Sequence, residues 1–180
     1  MGNSSSSNGH FQYNKNKPFC GIFNYIYHAN GGNLNKEIIE VTSSGNGPRC
    51  ITQPESVIIP NNKDEWSSSN EIGAWIMFDF KGKQVKINCY QIKTFDGREG
   101  TMHMKSWKVE ISYDGYTWRE IDDVVDSNEL NGPNFVITRQ IVGHDDLLPY
   151  RYIRISQTDT NHFRTNCMTL KQVEFYGTMN

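Results

Sequence analysis

The sequence lacks long apolar runs and shows no excess of one charge. Its longest apolar stretches, such as AWIMF at residues 74–78, are far below the ~20 residues that a helix needs to span a bilayer. The 18 basic and 20 acidic residues give a formal net charge of −2. No basic stripe is present, so a nucleic-acid partner is not expected. No charged and then apolar leader opens the chain, so we expect no signal peptide.

Cysteine pairs and catalytic motifs are missing as well. The four cysteines form no CxxC pair, and none is spaced from a histidine like a zinc ligand. Free thiols are therefore predicted, with a Cys20–Cys167 bridge as the alternative if the protein leaves the cell. No GxSxG, HExxH or phosphate-binding loop occurs, and the neighbours Asp122 and Asp123 point to opposite faces of a strand. The sequence thus predicts no enzyme and no catalytic residue.

The first residues match a lipidation pattern. The chain opens MGNSSS, with glycine after the initiator methionine and serine at position six, which is the pattern for N-myristoylation of Gly2. The alternative is a plain, disordered Ser/Asn tail. A single myristoyl chain binds membranes only weakly, so we expect at most a reversible tether. Residues 1–17 are predicted to form a flexible polar arm, followed by one domain over residues 18–180.

One short helix precedes a run of strands. Apolar residues at helical spacing after Pro18 predict a helix over residues 18–27, in a helical extension that reaches residue 35. Strands are then predicted in KEIIEVT, SVIIP, AWIMFDF, KINCYQIKTF, SWKVEISYDGYTWREI (a hairpin), NFVITRQI, YRYIRIS and LKQVEFYG. The hairpin contains Asp114-Gly115, a favoured turn dipeptide. Short strands at regular spacing indicate an all-β sandwich or barrel.

The hairpin and four other segments resemble one family. SWKVEISYDGYTW, residues 106–118, resembles the central hairpin of the discoidin, or coagulation-factor type C, domain family. Four further pieces occur in that family's order, namely DEWSS from Asp64, WIMFDF from Trp75, RYIRI from Arg151 and VEFYG from Val173. The resemblance covers about residues 36–178. It implies an all-β, galactose-binding-like jelly roll of two antiparallel sheets with one short N-terminal helix, in which Trp66 is a core residue.

The resemblance also implies a ligand site at one end of the sandwich. Four polar loops would stand together there, namely SGNGPRC (44–50), NNKDEWSSSN (61–70), FDGREGTMHM (95–104) and QTDTNHFRTN (157–166). The candidate ligand-binding residues in these loops are Arg49, Asn62, Arg98, His103, Asn161, His162, Phe163 and Arg164. Some members hold a structural calcium near the first loops, and Asp64 is the nearby carboxylate that matches that region. No other metal and no cofactor is expected.

Members of this family bind sugars, phospholipid surfaces or protein partners and are not enzymes. The first hypothesis is an intracellular adaptor or scaffold that grips a protein partner with its loop end. Secreted members carry a cysteine near each end of the domain, whereas the last strand here has none, which favours a cytoplasmic location. The alternative is a lectin-like carbohydrate-binding domain. Membrane contact through Met102 and Met104 ranks last, apart from peripheral binding at the cytosolic face of a membrane if Gly2 is acylated.

Overall fold

A computed structural model describes residues 9–48, 50–144 and 146–180. Within these ranges the chain forms eleven strands, one α-helix (α1, Ile22–Ala29) and a short 3₁₀ helix (Pro54–Ile58). The strands are β1 Gly9–Phe11, β2 Glu40–Ser43, β3 Trp66–Ser67, β4 Trp75–Asp79, β5 Val85–Lys93, β6 Trp107–Ser112, β7 Arg119–Val124, β8 Val136–Gln140, β9 Tyr152–Gln157, β10 Thr169–Leu170 and β11 Gln172–Met179.

The strands form two main antiparallel sheets. One sheet has five strands in the order β2-β4-β9-β6-β7, and the other has four in the order β1-β11-β5-β8. The two-residue strands β3 and β10 form a separate small pair. The Asp114-Gly115 turn joins β6 and β7 as predicted, with Gly115 at φ +81°. The predicted all-β jelly-roll sandwich with one short N-terminal helix is therefore confirmed.

Alternating side chains from both sheets fill the core. Ile76 and Phe78 on β4 are fully buried, and their neighbours on the strand are more exposed, as expected for a sheet with one apolar face. The Phe23 ring of α1 lies 5.1 Å from the rings of both Phe78 and Phe175, so the helix packs against the two sheets at once. Trp66 is fully buried, as predicted, and its indole N–H donates to Asn46 Oδ1 at 2.8 Å.

Helix α1 begins at Ile22, four residues later than the predicted start at Pro18. Phe19 has φ +55°, which no residue of a right-handed helix adopts, so the helix cannot begin before it. No side chain within the helix caps its first turn. Instead, the carboxylate of Glu174 on β11 accepts the N–H groups of Phe23 at 2.8 Å and Asn24 at 3.0 Å. The free donors at a helix start are thus satisfied by a residue 150 positions away in the sequence.

Two other sequence predictions are wrong in part. The flexible arm was expected to reach residue 17, but residues 9–11 form β1, which pairs with β11 from Gly9↔Met179 to Phe11↔Gly177. Residues 1–8, with the predicted acylation site Gly2, lie outside the described residues. Most of the segment SVIIP is not a strand, because residues 56–58 belong to the 3₁₀ helix Pro54–Ile58. Pro54 at its start suits a helical turn, where a missing N–H costs nothing.

A polar network joins the two sheets at β7 and β8. Arg139 on β8 donates two hydrogen bonds to the carboxylate of Asp122 on β7, at 2.7 and 3.1 Å. The Tyr90 hydroxyl donates to the same carboxylate at 2.6 Å and accepts the Trp107 indole N–H at 2.9 Å. Burial works to raise the pKa of Asp122, but the hydrogen bonds from Arg139 and Tyr90 outweigh it and lower that pKa.

The structure also tests the predicted state of the cysteines and the length of the helix. All four cysteines lie in the described residues and are free, as predicted, so Cys20 and Cys167 are not bridged. In the part of the chain that the structure describes, no helix is both long and apolar enough to cross a membrane.

Candidate functional site

The four polar loops meet at one end of the sandwich, as the sequence predicted. The backbone N–H of His162 donates to the carbonyl of His103 at 3.0 Å, which joins loops 157–166 and 95–104. The N–H of Asn166 donates to Asn70 Oδ1 at 2.8 Å, and the N–H of Ser69 donates to the Gly45 carbonyl at 3.0 Å. These bonds tie loops 61–70 and 44–50 into the same cluster, here called the loop end.

Asn161 organises the loop 157–166 from within. Its side chain is 1% exposed, and its Oδ1 accepts the N–H groups of Phe163 and Thr165, each at 3.0 Å. Its amide donates to Thr165 Oγ1 at 2.7 Å and to the Cys167 carbonyl at 2.9 Å. Both ends of the amide are therefore occupied inside the loop. Asn161 therefore shapes the loop from within, and its role as a ligand contact stays a prediction.

His103 has a similar supporting place. The ring is fully buried, stacks on Phe95 with centroids 4.5 Å apart, and its Nε2 lies 2.8 Å from the Gly97 carbonyl and 3.2 Å from the Arg98 carbonyl. Because both partners are carbonyl oxygens, Nε2 carries the proton. The ring thus braces loop 95–104 and does not reach the surface; its role as a ligand contact stays a prediction.

The remaining candidates differ in how much they expose. Phe163 is 63% exposed at the tip of its loop, and Arg164 beside it is exposed with φ +59°. Arg98 is exposed in the neighbouring loop. His162 is half-buried, with Nε2 3.2 Å from the Ser127 carbonyl. The half-buried Asn62 uses its side chain locally, because its amide donates to the Asp64 carbonyl at 2.7 Å. Arg49 lies outside the described residues.

A groove of about 480 Å³ opens where these loops converge. It is lined by residues from loops 44–50 and 61–70, with Met102 from the third loop and Cys167 beyond the fourth. Asp64 and Glu65 line it, and no described lining residue is basic. Ile51, also in the lining, is 93% exposed. We call this the loop-end groove; it combines acidic acceptors with an apolar surface.

Sequence reasoning missed several residues of this groove. Cys50 Sγ accepts the Ser67 N–H at 3.2 Å and donates to the Thr52 carbonyl at 3.3 Å, which fixes one wall. The thiol therefore holds two segments of backbone together. The sequence did contain one indication of a binding surface here, namely the apolar Ile51 next to a Gly/Pro-rich loop. An isoleucine exposed in such a loop has no core to pack against. Met104, which the sequence offered as a candidate for membrane contact, is buried.

The residues around Asp64 do not fit a calcium ion. Asp64 is exposed, and the Asn62 side chain that could be a ligand is engaged with the Asp64 backbone. Over residues 9–48, 50–144 and 146–180, no three His, Cys, Asp or Glu residues are grouped so that they could hold a metal ion. Calcium needs six to eight oxygen ligands, more than the side chains of Asp64 and Asn62 supply.

Comparisons with known proteins place these features in a family. The family model for the F5/8 type C domain matches residues 38–170. A curated relative, the E3 ubiquitin-protein ligase Ufd4 of Drosophila melanogaster, is 31% identical over 106 residues, which is 58% of this chain. The chain spans only 4% of the length of that relative.

Solved structures share the fold at low identity. CpGH89CBM32-5 from Clostridium perfringens, in complex with GalNAc-β-1,3-galactose, has a TM-score of 0.59 at 13% identity, over 77% of this chain and 95% of that one. The CBM32 of AlyQ, in complex with 4,5-unsaturated mannuronic acid, has a TM-score of 0.58 at 19% identity over the same shares. At identities this low, the structural similarity shows a common fold and nothing further.

Proposed function

We propose, from the premise that the chain belongs to the F5/8 type C domain family, that it is a non-catalytic carbohydrate-binding domain whose ligand occupies the loop-end groove. Of the two functions expected from the sequence, carbohydrate recognition has the better support, because the structural neighbours include complexes with sugars. An adaptor for a protein partner remains the second candidate.

The observation that carries the proposal is the composition of the loop-end groove. Carboxylates accept hydrogen bonds only, and sugar hydroxyls can donate them, so Asp64 and Glu65 suit the polar edge of a sugar ring. Met102 and the exposed Ile51 offer apolar surface for the C–H face of the ring. With carboxylates and no described basic residue in its lining, the groove favours neutral or amino sugars over acidic ones.

Binding to a panel of immobilised glycans tests this proposal. We expect neutral or amino-sugar glycans to bind, and Asp64→Ala with Glu65→Ala to reduce that binding at least tenfold, the cost of losing one or two hydrogen bonds to charged acceptors. Glu120→Ala, an exposed acidic residue on β7, is the matched control and should bind like the wild type. Retention of full glycan binding by the double variant would refute the groove assignment.

A specific observation also supports the second candidate. Two large apolar side chains are exposed at the loop end, namely Ile51 in the groove lining and Phe163 at the tip of its loop. Exposed apolar anchors beside charged residues are typical of protein-binding hot spots. If a protein partner binds here, the double variant Phe163→Ala, Arg164→Ala should lose its capture in a pull-down while its melting temperature stays nearly unchanged. Asp64→Ala should reduce glycan binding relative to the wild type. Retention of every partner by the double variant would exclude this candidate.

A further inference from the structure

A second groove, of about 510 Å³, lies on the outer face of the four-stranded sheet. Its floor consists of two rows across the sheet, Gln172–Lys93–Val136 and the pair Gln91–Thr138. Gln91 and Lys93 alternate along β5 with Tyr90 and Ile92, which belong to the core, so they and their cross-strand partners face away from it. No residue lines both this groove and the loop-end groove. We call it the extension groove.

The walls of the extension groove come from two segments with unusual backbone. Tyr13 and Phe19 form one wall and Asn61 belongs to the other. Phe19 has φ +55°, a region that a bulky side chain occupies at a cost, and Asn61 has φ +57°, which asparagine tolerates in turns. The strain at Phe19 is held by Gln91, whose Oε1 accepts the Phe19 N–H at 2.8 Å.

Gln91 is the centre from which this groove is built. The same Oε1 accepts the Tyr176 hydroxyl proton at 2.6 Å, and its amide donates to Thr138 Oγ1 at 2.9 Å. The Tyr13 ring packs edge-on against Tyr176 with centroids 5.5 Å apart. One buried amide therefore anchors the Phe19 backbone, the Tyr176 ring against which Tyr13 packs, and the Thr138 hydroxyl on the floor. The wall formed by Tyr13 and Phe19 lies N-terminal to residues 38–170, the part of the chain that the family model matches.

The side chains in the extension groove match the chemistry of an acidic sugar. Tyr13 and Phe19 offer half-buried rings for the C–H face of a sugar, and the side-chain amides of Asn24 and Asn61 and the Thr138 hydroxyl can bond to its hydroxyl groups. Lys93 supplies a positive charge, and no carboxylate lies among the described lining residues. We propose that the extension groove binds an oligosaccharide containing uronic acid. This goes beyond the proposed function, because the site, its elements and its charge preference all differ from those of the loop-end groove.

The test uses the full chain and trigalacturonic acid, with neutral galactotriose as the uncharged comparison. Titration calorimetry should detect trigalacturonic acid, and Lys93→Gln should weaken it about tenfold, as expected for one charge-assisted hydrogen bond. Phe19→Leu keeps the bulk of the side chain but loses the flat ring, and should also weaken it. Lys63→Gln, an exposed lysine at the loop end, is the matched control and should bind like the wild type.

Amide chemical shifts locate the bound sugar and keep the two proposals separable. Trigalacturonic acid should shift the signals of Phe19, Gln91 and Thr138, and Asp64→Ala should leave its affinity unchanged. No binding, shifts confined to the loop end, or equal affinity of Lys93→Gln and wild type would each overturn the extension groove. None of these results tests whether neutral glycans bind at the loop-end groove. If neutral glycans do not bind there, the expected loss of trigalacturonic acid affinity in Lys93→Gln is unaffected.

Discussion

Glu174 gives the protein a pH-dependent stability that one substitution can isolate. Its side chain is 2% exposed, and burial raises its pKa from 4.5 to about 7, against the opposing effect of the N–H groups of Phe23 and Asn24. The folded state therefore holds a proton between these values that the unfolded state has released. The corresponding stabilisation is complete below pH 4.5 and is lost as the pH rises through 7.

The size of this effect follows from the pKa difference. At about 1.4 kcal/mol per unit, the shift of Glu174 corresponds to about 3 kcal/mol of unfolding free energy. About 2 kcal/mol of that should be lost between pH 5 and pH 8. The side chain introduced by Glu174→Gln cannot ionise. Any loss of unfolding free energy from placing its amide against the helix N–H groups is therefore the same at every pH.

Urea titrations at pH 5, 6, 7 and 8 measure the difference in unfolding free energy between Glu174→Gln and wild type. We expect this difference to move by about 2 kcal/mol in favour of Gln between pH 5 and 8. Other titrating groups cancel in the comparison, and the exposed Glu37→Gln should show no such trend. A difference that stays constant with pH would refute the reasoning, because the helix N–H groups would then compensate fully for the burial of the charge.

Three further predictions concern other parts of the molecule. Arg139→Met leaves Asp122 without its two guanidinium hydrogen bonds and should cost about 2 kcal/mol in urea titrations; a loss below half of that would show that the inter-sheet network is dispensable. Gly21→Ala should destabilise the protein strongly, because its Cβ would lie 2.2 Å from the Phe175 carbonyl oxygen, whereas Gly82→Ala has open space and should change the melting temperature little. Intact mass of protein from its native cell should show a myristoyl adduct on Gly2, and an unmodified or acetylated terminus would remove the predicted tether.

The sequence predicted the parts of the fold that repeat a local pattern. The β6–β7 hairpin was predictable because Trp107, Val109 and Ile111 alternate along β6 and Asp114-Gly115 is a favoured turn dipeptide. Strand β1 was not, because three residues of an otherwise polar segment are ordered by a partner strand far along the chain. The same limit explains the start of α1, which depends on the carboxylate of Glu174 and on the conformation of Phe19.

The candidate site was predictable as a set of loops but not residue by residue. The order of strands places loops 95–104 and 157–166 at one end, and the family resemblance was sufficient to infer that. Inside a loop, side-chain direction follows no period, so nothing in the sequence separates Asn161, which is turned inward, from the exposed Phe163 two positions later. The loop-end groove and the extension groove both depend on contacts between distant segments, which a single sequence does not display.

The pairing of β1 with β11 also has a mechanical consequence. Gly9 lies opposite Met179, so the first residue of β1 and the last residue of β11 lie side by side. A domain whose two ends lie side by side can be inserted into a surface loop of a host protein without separating the ends of that loop. If the two ends are pulled apart, the strands β1 and β11 open from that point inward, one pair of residues at a time, instead of shearing together. Tension applied there would detach the N-terminal extension first and so dismantle the extension groove, while the loop end at the far side of the sandwich stays intact.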